Sequence, residues 1–137
     1  MGGGQRVGVP RVLLADSSAR MRRMLRINLE GAGCAVDEAA TDDLLAIPRG
    51  GPYHALVLNL NGRDRRLCDA VNALRRQHEG LVVAAYSVWP LDEMIRRLCI
   101  DMYVETPFDV SRFADAVRRA CERTAVPAGV AEVERAL

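Results

Sequence analysis

Short apolar runs alternate with amphipathic stretches five times along the chain. The apolar runs predict five strands, at residues 12–15, 34–38, 55–60, 81–86 and 102–105. Most of them are continuous rather than alternating, which is typical of strands buried on both faces of a parallel sheet. The stretches between them predict helices at residues 19–30, 42–47, about 65–79, 90–99 and 110–123. This order indicates an α/β fold built from βαβ units.

Apolar residues recur at helical spacing within the predicted helices and define the faces that should pack on the sheet. These residues are Met21, Met24, Leu25 and Leu29 in the first helix, Leu67, Val71 and Leu74 after the third strand, Met94, Ile95 and Leu98 after the fourth, and Phe113, Val117 and Cys121 in the last. The arginines between them fall mostly on the opposite sides.

The length of 137 residues is sufficient for one domain that buries a single hydrophobic core. We expect a flexible N-terminal tail at residues 1–10, a folded domain at 11–124 and a C-terminal tail at 125–137, with a loose helical segment in the tail. The formal net charge is +1, which gives no bulk attraction to nucleic acid. All 19 basic residues are arginine, so any chemistry that requires a lysine is excluded.

The four cysteines, Cys34, Cys68, Cys99 and Cys121, are about thirty residues apart, and none forms a Cys-x-x-Cys pair. Metal binding by them is therefore not expected. Each lies in an apolar segment, so we predict four buried, reduced thiols in a cytoplasmic protein. We expect neither a secretory signal nor a membrane span, because the first residues lack an apolar core of signal-peptide length and no apolar run approaches about 20 residues.

Two segments carry a family resemblance: VLLADSSARMRRML at residues 12–25 and YVETPFD at residues 103–109. Together with the order of elements, they resemble the CheY-like receiver domain of bacterial two-component response regulators, over about residues 11–123. The resemblance implies a flavodoxin-like doubly wound sheet with strand order 2-1-3-4-5. It places the functional site at the carboxyl ends of the strands.

In active receivers two acids after the first strand bind Mg²⁺, and an aspartate ending the third strand accepts the phosphoryl group. The resemblance aligns these three positions with Asp16, Ser17 and Asn59. The lysine that pairs with the phosphate aligns with Thr106, which precedes Pro107. A cis bond between these two residues is implied by the resemblance alone.

Two further positions report the state of an active receiver to its partners. The aromatic position aligns with Tyr103, and the Ser/Thr position aligns with Ala84, Tyr86 or Ser87. These three alternatives remain open at this point, and Ser87 is included among the residues of the expected site.

The aligned residues describe a degenerate site. A neutral amide at residue 59 is a poor nucleophile and cannot form an acyl phosphate. Asp16 alone would hold Mg²⁺ only weakly, and no lysine neutralises the charge of a transferred phosphoryl group. We therefore expect no enzymatic activity, no catalytic residues and no cofactor or metal, and a domain held in one conformation.

The leading hypothesis is a pseudo-receiver that acts in signalling through phosphorylation-independent protein–protein interaction. The expected interaction face combines the helix at 90–99, the strand of Tyr103 and the helix at 110–123, with Trp89, Pro107 and Phe108. Trp89 would serve either as an exposed anchor or as a cover over the end of the sheet. The partner would be a signalling protein or a second copy of the chain, without direct contact to nucleic acid or membrane.

Two alternatives concern the same end of the sheet. An unconventional acceptor among Asp16, Ser17, Asp64 and Thr106 could retain phosphoryl or metal chemistry. Alternatively, Ser17, Asn59, Ser87 and Thr106 could line a polar pocket for a small molecule. Arginine pairs such as Arg118-Arg119 are either solvated helix faces or docking points for an acidic partner.

Overall fold

The computed structural model describes residues 8–40, 53–60, 65–88, 92–123 and 134–135. Their elements, in chain order, are β1 (Arg11–Ala15), α1 (Ala19–Gly31), β2 (Ala35–Ala39), β3 (Ala55–Asn59), α2 (Arg65–Gln77), β4 (Val82–Ser87), α3 (Asp92–Arg97), β5 (Met102–Glu105), α4 (Val110–Arg123) and β6 (Glu134–Arg135). The predicted helix at 42–47 lies outside the described residues.

The strands form one parallel sheet in the order β2-β1-β3-β4-β5-β6. The predicted flavodoxin-like order 2-1-3-4-5 is therefore confirmed. The short strand β6 extends the sheet by pairing Glu134 with Met102 and Arg135 with Tyr103. This pairing contradicts the helical segment expected in the tail. The strand was not predicted because two residues are too few to show an alternating pattern in the sequence.

Successive strand residues point to opposite faces of the sheet and build two separate cores. One face packs against α1 and α4, whose Leu25, Leu29, Phe113 and Val117 are fully buried. The opposite face packs against the inner side of α2 and the segment after α3, through Leu67, Val71, Leu74, Leu98 and Ile100. Burial on both faces explains why the strand sequences are apolar almost without interruption.

The ends of α1 follow from local chemistry. Ser18 is the N-cap, and its hydroxyl accepts the backbone N–H of Met21 at 3.2 Å. After the helix, Gly33 adopts a left-handed φ of 101°, a conformation in which a side chain would be strained. Met24, predicted on the inner face of α1, is instead 42% exposed. The buried stripe is narrower than expected, since it is centred on Leu25 and Leu29.

The cysteines are free thiols, but the prediction that all four are buried was wrong. Cys34 and Cys121 are buried, Cys68 is half-buried, and Cys99 is exposed. Cys99 has a positive φ of 51° just after α3, so its side chain leaves the inner face that Leu98 occupies. Among the described residues, no helix is both long and apolar enough to cross a membrane.

Candidate functional site

The carboxyl ends of the central strands meet at one edge of the sheet, and the predicted site residues lie along this edge. Asp16 directly follows β1, Asn59 ends β3, Ser87 ends β4 and Thr106 directly follows β5. The register pairs Asn59 with Tyr86 across β3 and β4. The parallel topology therefore positions the site, as expected for a doubly wound sheet.

Asp16 is 1% exposed, and both of its carboxylate oxygens are hydrogen-bonded within the protein. Oδ1 accepts the backbone N–H of Ser18 at 2.8 Å. Oδ2 accepts the phenolic hydroxyl of Tyr86 in a buried contact. A buried carboxylate requires such partners, because an unpaired one carries a large desolvation penalty.

Tyr86 fills the space beside Asp16. Its ring packs against Phe108 and Phe113, with centroid distances of 5.5 and 6.3 Å, and the residue is 2% exposed. Burial, together with the hydrogen bond to Asp16, raises the pKa of the Tyr86 hydroxyl far above its usual value. The phenol therefore stays protonated and remains a donor to the carboxylate.

A positive charge also lies beside Asp16, and it comes from α1. The Arg22 guanidinium donates to the backbone carbonyl of Asp16 and to Glu38 of β2, the latter at 3.2 Å. The sequence analysis predicted only that the arginines lie mostly opposite the apolar helix faces, and it missed this contact. It also missed the role of Tyr86, which it considered only as a match to the Ser/Thr position. The one signal for Tyr86 was a large polar-tipped ring within an otherwise aliphatic strand.

The other predicted site residues are spread out around the carboxyl edge. Asn59 is half-buried, and its side chain makes no hydrogen bond to any described residue. Ser17 and Thr106 are exposed, whereas Ser87 is buried. These four side chains therefore do not share a common environment.

Ser87 and Tyr103 form a second buried contact, in which the Ser87 hydroxyl is hydrogen-bonded to the Tyr103 hydroxyl. Tyr103 is 8% exposed, so its ring lies in the core between the sheet and the helices on the α2 side. Of the three candidates for the Ser/Thr position, only Ser87 reaches Tyr103 in this way. Its backbone carbonyl also accepts the N–H of Thr106 at 2.8 Å, which connects the end of β4 to the turn after β5.

The residues assigned to an interaction face differ in accessibility. Pro107 is exposed and follows a cis Thr106-Pro107 bond, as the resemblance implied. Phe108 is half-buried, and its ring centroid is 5.1 Å from that of Phe113. Trp89 and Asp64 lie outside the described residues. Within the described part of the chain, no group of three or more His, Cys, Asp or Glu side chains could hold a metal ion.

No protein-family model matches the sequence, and no curated protein matches it. Many solved structures do match the fold. A sensor protein from Polaromonas sp. JS666 has a TM-score of 0.69 at 24% identity, covering 84% of this chain and 98% of its own. A CheY-like response regulator receiver domain protein from Methanospirillum hungatei JF-1 has a TM-score of 0.71 at 13% identity, covering 85% and 96%.

A response regulator from Thermotoga maritima is similar to the same extent, with a TM-score of 0.70 at 16% identity and coverage of 82% of this chain and 98% of its own. The chain has the fold of a response-regulator receiver domain. At these identities the likeness concerns the fold alone, so the chemistry of this receiver fold has to be argued from its own residues.

Proposed function

We propose that the chain is a pseudo-receiver, a signalling module of the two-component type that works through protein–protein interaction without being phosphorylated. The observation that carries the proposal is the state of Asp16. Both of its carboxylate oxygens are used internally, by the Ser18 N–H and the Tyr86 hydroxyl. The only acid at the carboxyl edge among the aligned positions is therefore already satisfied without a cation.

Asn59 and Thr106 also support a function without phosphorylation. Asn59 offers an amide where an acyl phosphate would require a carboxylate nucleophile. Thr106 is exposed and neutral where a cation would have to stabilise the transferred phosphoryl group. At the aligned positions, phosphoryl transfer would require an acceptor carboxylate, a second acid for a metal and a lysine, where the chain has Asn59, Ser17 and Thr106.

The Ser87–Tyr103 hydrogen bond supports a fixed conformation. Moving the Tyr103 ring out of the core would break a buried hydrogen bond and expose apolar surface, and Asn59 cannot form the acyl phosphate that would drive such a change. A receiver fold held in one state can present a constant surface. In this proposal the surface is formed by α3, β5 and α4 and is recognised by a cytoplasmic signalling protein or a second copy.

The experiment adds beryllofluoride and Mg²⁺ to the protein and follows the backbone amide NMR spectrum. We expect no chemical-shift changes at Asp16, Asn59, Ser87 or Tyr103, whereas an active receiver treated in parallel should show them. A set of saturable, Mg²⁺-dependent shifts around Asn59 would contradict the proposal. A partner isolated with the untreated protein should be retained equally well after treatment.

A further inference from the structure

Helix α4 carries a stripe of alternating charge along its exposed side. Arg112, Asp115, Arg119 and Glu122 follow one another at intervals of three or four residues, so they lie on one face of the helix. All four are exposed. Arg112, Asp115 and Arg119 form no ion pair within the described part of the chain. Glu122 pairs with Arg118 at 3.1 Å, with both side chains about half exposed.

The four charges are arranged symmetrically about Val117. Arg112 and Glu122 lie at equal distances before and after it, and so do Asp115 and Arg119. Val117 itself is fully buried and points to the sheet, so the stripe lies on the opposite, outward side of the helix. In each symmetric pair, the two members carry opposite charges.

This symmetry makes the stripe complementary to itself in an antiparallel arrangement. A two-fold axis through the outward side of α4 at the level of Val117 sets Arg112 opposite Glu122 of a second copy and Asp115 opposite Arg119 of that copy. The contact then contains four oppositely charged pairs along about 15 Å of helix. A parallel arrangement in register would instead place each charged residue opposite the same residue of the second copy, so that like charges would face each other.

From this pattern we propose that the chain forms a homodimer through antiparallel contact of α4 with α4 of a second copy. The inference rests on the proposed function in one respect, since it names the second copy as a partner of the interaction module. A groove of about 490 Å³, lined by Ala32, Arg112, Asp115, Arg118 and Arg119, runs beside the stripe and leaves room for side chains of the second copy.

The dimer is weak and reversible. Exposed ion pairs contribute little individually, and one helix pair buries less surface than a stable interface of about 800 Å² per partner. We expect a dissociation constant on the order of 10⁻⁴ M at low salt. Raising the salt from about 0.1 M to about 1 M shortens the Debye length from about 10 Å to about 3 Å and should weaken the dimer several-fold.

The test is sedimentation equilibrium over a concentration series, at low and high salt and without any phosphate donor. Arg119→Asp sets like charges opposite each other at two symmetric places, so we expect a dissociation constant raised about tenfold or more. Arg20→Asp makes the same change of charge at an exposed arginine of α1, outside the stripe, and should leave association unchanged. The double variant Asp115→Arg/Arg119→Asp restores opposite charges and should recover the wild-type constant.

Three results would overturn the inference. They are a monomer at every concentration at low salt, a dimer that Arg119→Asp leaves intact, and a double variant that is folded by circular dichroism but stays monomeric. The first result would assign the stripe to a different partner. The dimer does not involve a phosphoryl group, so the two proposals can fail independently. Absence of a dimer would not contradict the proposed phosphorylation-independent function, and phosphorylation of the chain would not contradict the dimer.

Discussion

At the residue scale, one hydroxyl group connects β4 to the end of β1. Replacing Tyr86 by Phe keeps the ring against Phe108 and Phe113 but removes the donor to Asp16 Oδ2. The carboxylate would then have a buried oxygen without a partner, so we expect the free energy of unfolding to fall by about 1–3 kcal/mol. Urea unfolding monitored by circular dichroism measures this change.

Tyr103→Phe provides the matched control, since it also removes one buried hydroxyl, but the hydrogen bond that it removes joins two neutral groups. Its cost should be smaller, about 0.5–1.5 kcal/mol. Adding Asp16→Asn to Tyr86→Phe should recover part of the loss, because an amide is less costly to bury than a carboxylate. Equal losses for the two tyrosine variants would contradict the role assigned to Asp16.

The sequence was sufficient to predict the site residues at the ends of strands, but not the long side chains that extend to the site from neighbouring positions. Asp16 and Asn59 could be placed because each closes an apolar run, and the carboxyl ends of parallel strands meet. Tyr86 and Arg22 could not, because strand and helix periodicity gives the face of a residue but not how far its side chain extends. The apolar strand pattern likewise cannot show that Tyr103 and Ser87 bond to each other.

At the element scale, the connection from α1 to β2 depends on one backbone conformation. Gly33 has a φ of 101°, and a Cβ there would lie 3.1 Å from Nε of Arg118. Gly33→Ala should therefore lower the free energy of unfolding by about 1–3 kcal/mol, through strain at a left-handed residue. Thermal or urea unfolding of the variant tests this.

Gly31 lies two residues earlier and is the matched control. It ends α1, and a Cβ added there would have no neighbouring atom within 4 Å, so Gly31→Ala should leave stability unchanged or raise it by up to about 1 kcal/mol. A neutral Gly33→Ala would show that the turn can adopt another conformation. The sequence shows two glycines near the end of the helix, but not which of them is left-handed.

Element boundaries were predictable to within a few residues where packing and periodicity agree. The last helix was predicted at the bounds observed for α4, because its apolar stripe is unbroken and Pro107 fixes its approach. The predicted helix at 90–99 is shorter in the structure, where α3 ends at Arg97 and Cys99 turns outward. A stripe of three apolar residues does not by itself fix where a helix ends.

At the scale of the whole molecule, two histidines hold the amino end of β3. Nδ1 of His78 accepts the backbone N–H of Tyr53 at 3.0 Å, and Nδ1 of His54 accepts that of Arg11 at 2.9 Å. The bond to His78 requires an unprotonated Nδ1 on that histidine. Acid should therefore weaken the connection between the start of β3 and the end of α2.

The direction of the effect follows from His78. Burial, and to a smaller extent the charge of Arg11, lower the pKa of this histidine in the folded protein. The unfolded chain therefore takes up the proton at a higher pH than the folded protein, and stability rises with pH in this range. We expect the free energy of unfolding to be constant above about pH 7 and to decrease between about pH 6.5 and pH 5.

Urea unfolding at several pH values measures this dependence. His78→Gln retains an acceptor but does not titrate, so the slope between about pH 6.5 and pH 5 should become shallower. A second decrease should follow at lower pH, because hydrogen bonds from Tyr53 and Arg11 lower the pKa of Asp37 below its usual value. An unchanged slope in His78→Gln would show that this histidine does not contribute.

The receiver fold persists here because its two cores do not depend on the site chemistry. The apolar residues that pack α1, α2 and α4 on the sheet are buried without help from Asn59 or Thr106. In the proposed pseudo-receiver, the neutral side chains of Asn59 and Thr106 at the carboxyl edge avoid charge repulsion and the need for a metal. Tyr86 then satisfies the remaining carboxylate.

The measurement that tests this account most directly is the intact mass of the wild-type protein and of Asn59→Asp after incubation with acetyl phosphate and Mg²⁺. We predict that neither gains a phosphoryl group, because restoring the acceptor still leaves Ser17 and Thr106 in place of an acid and a cation, and Asp16 bound to Tyr86. An active receiver in the same experiment should be modified. A phosphoryl adduct on the wild type, or on Asn59→Asp alone, would contradict the account.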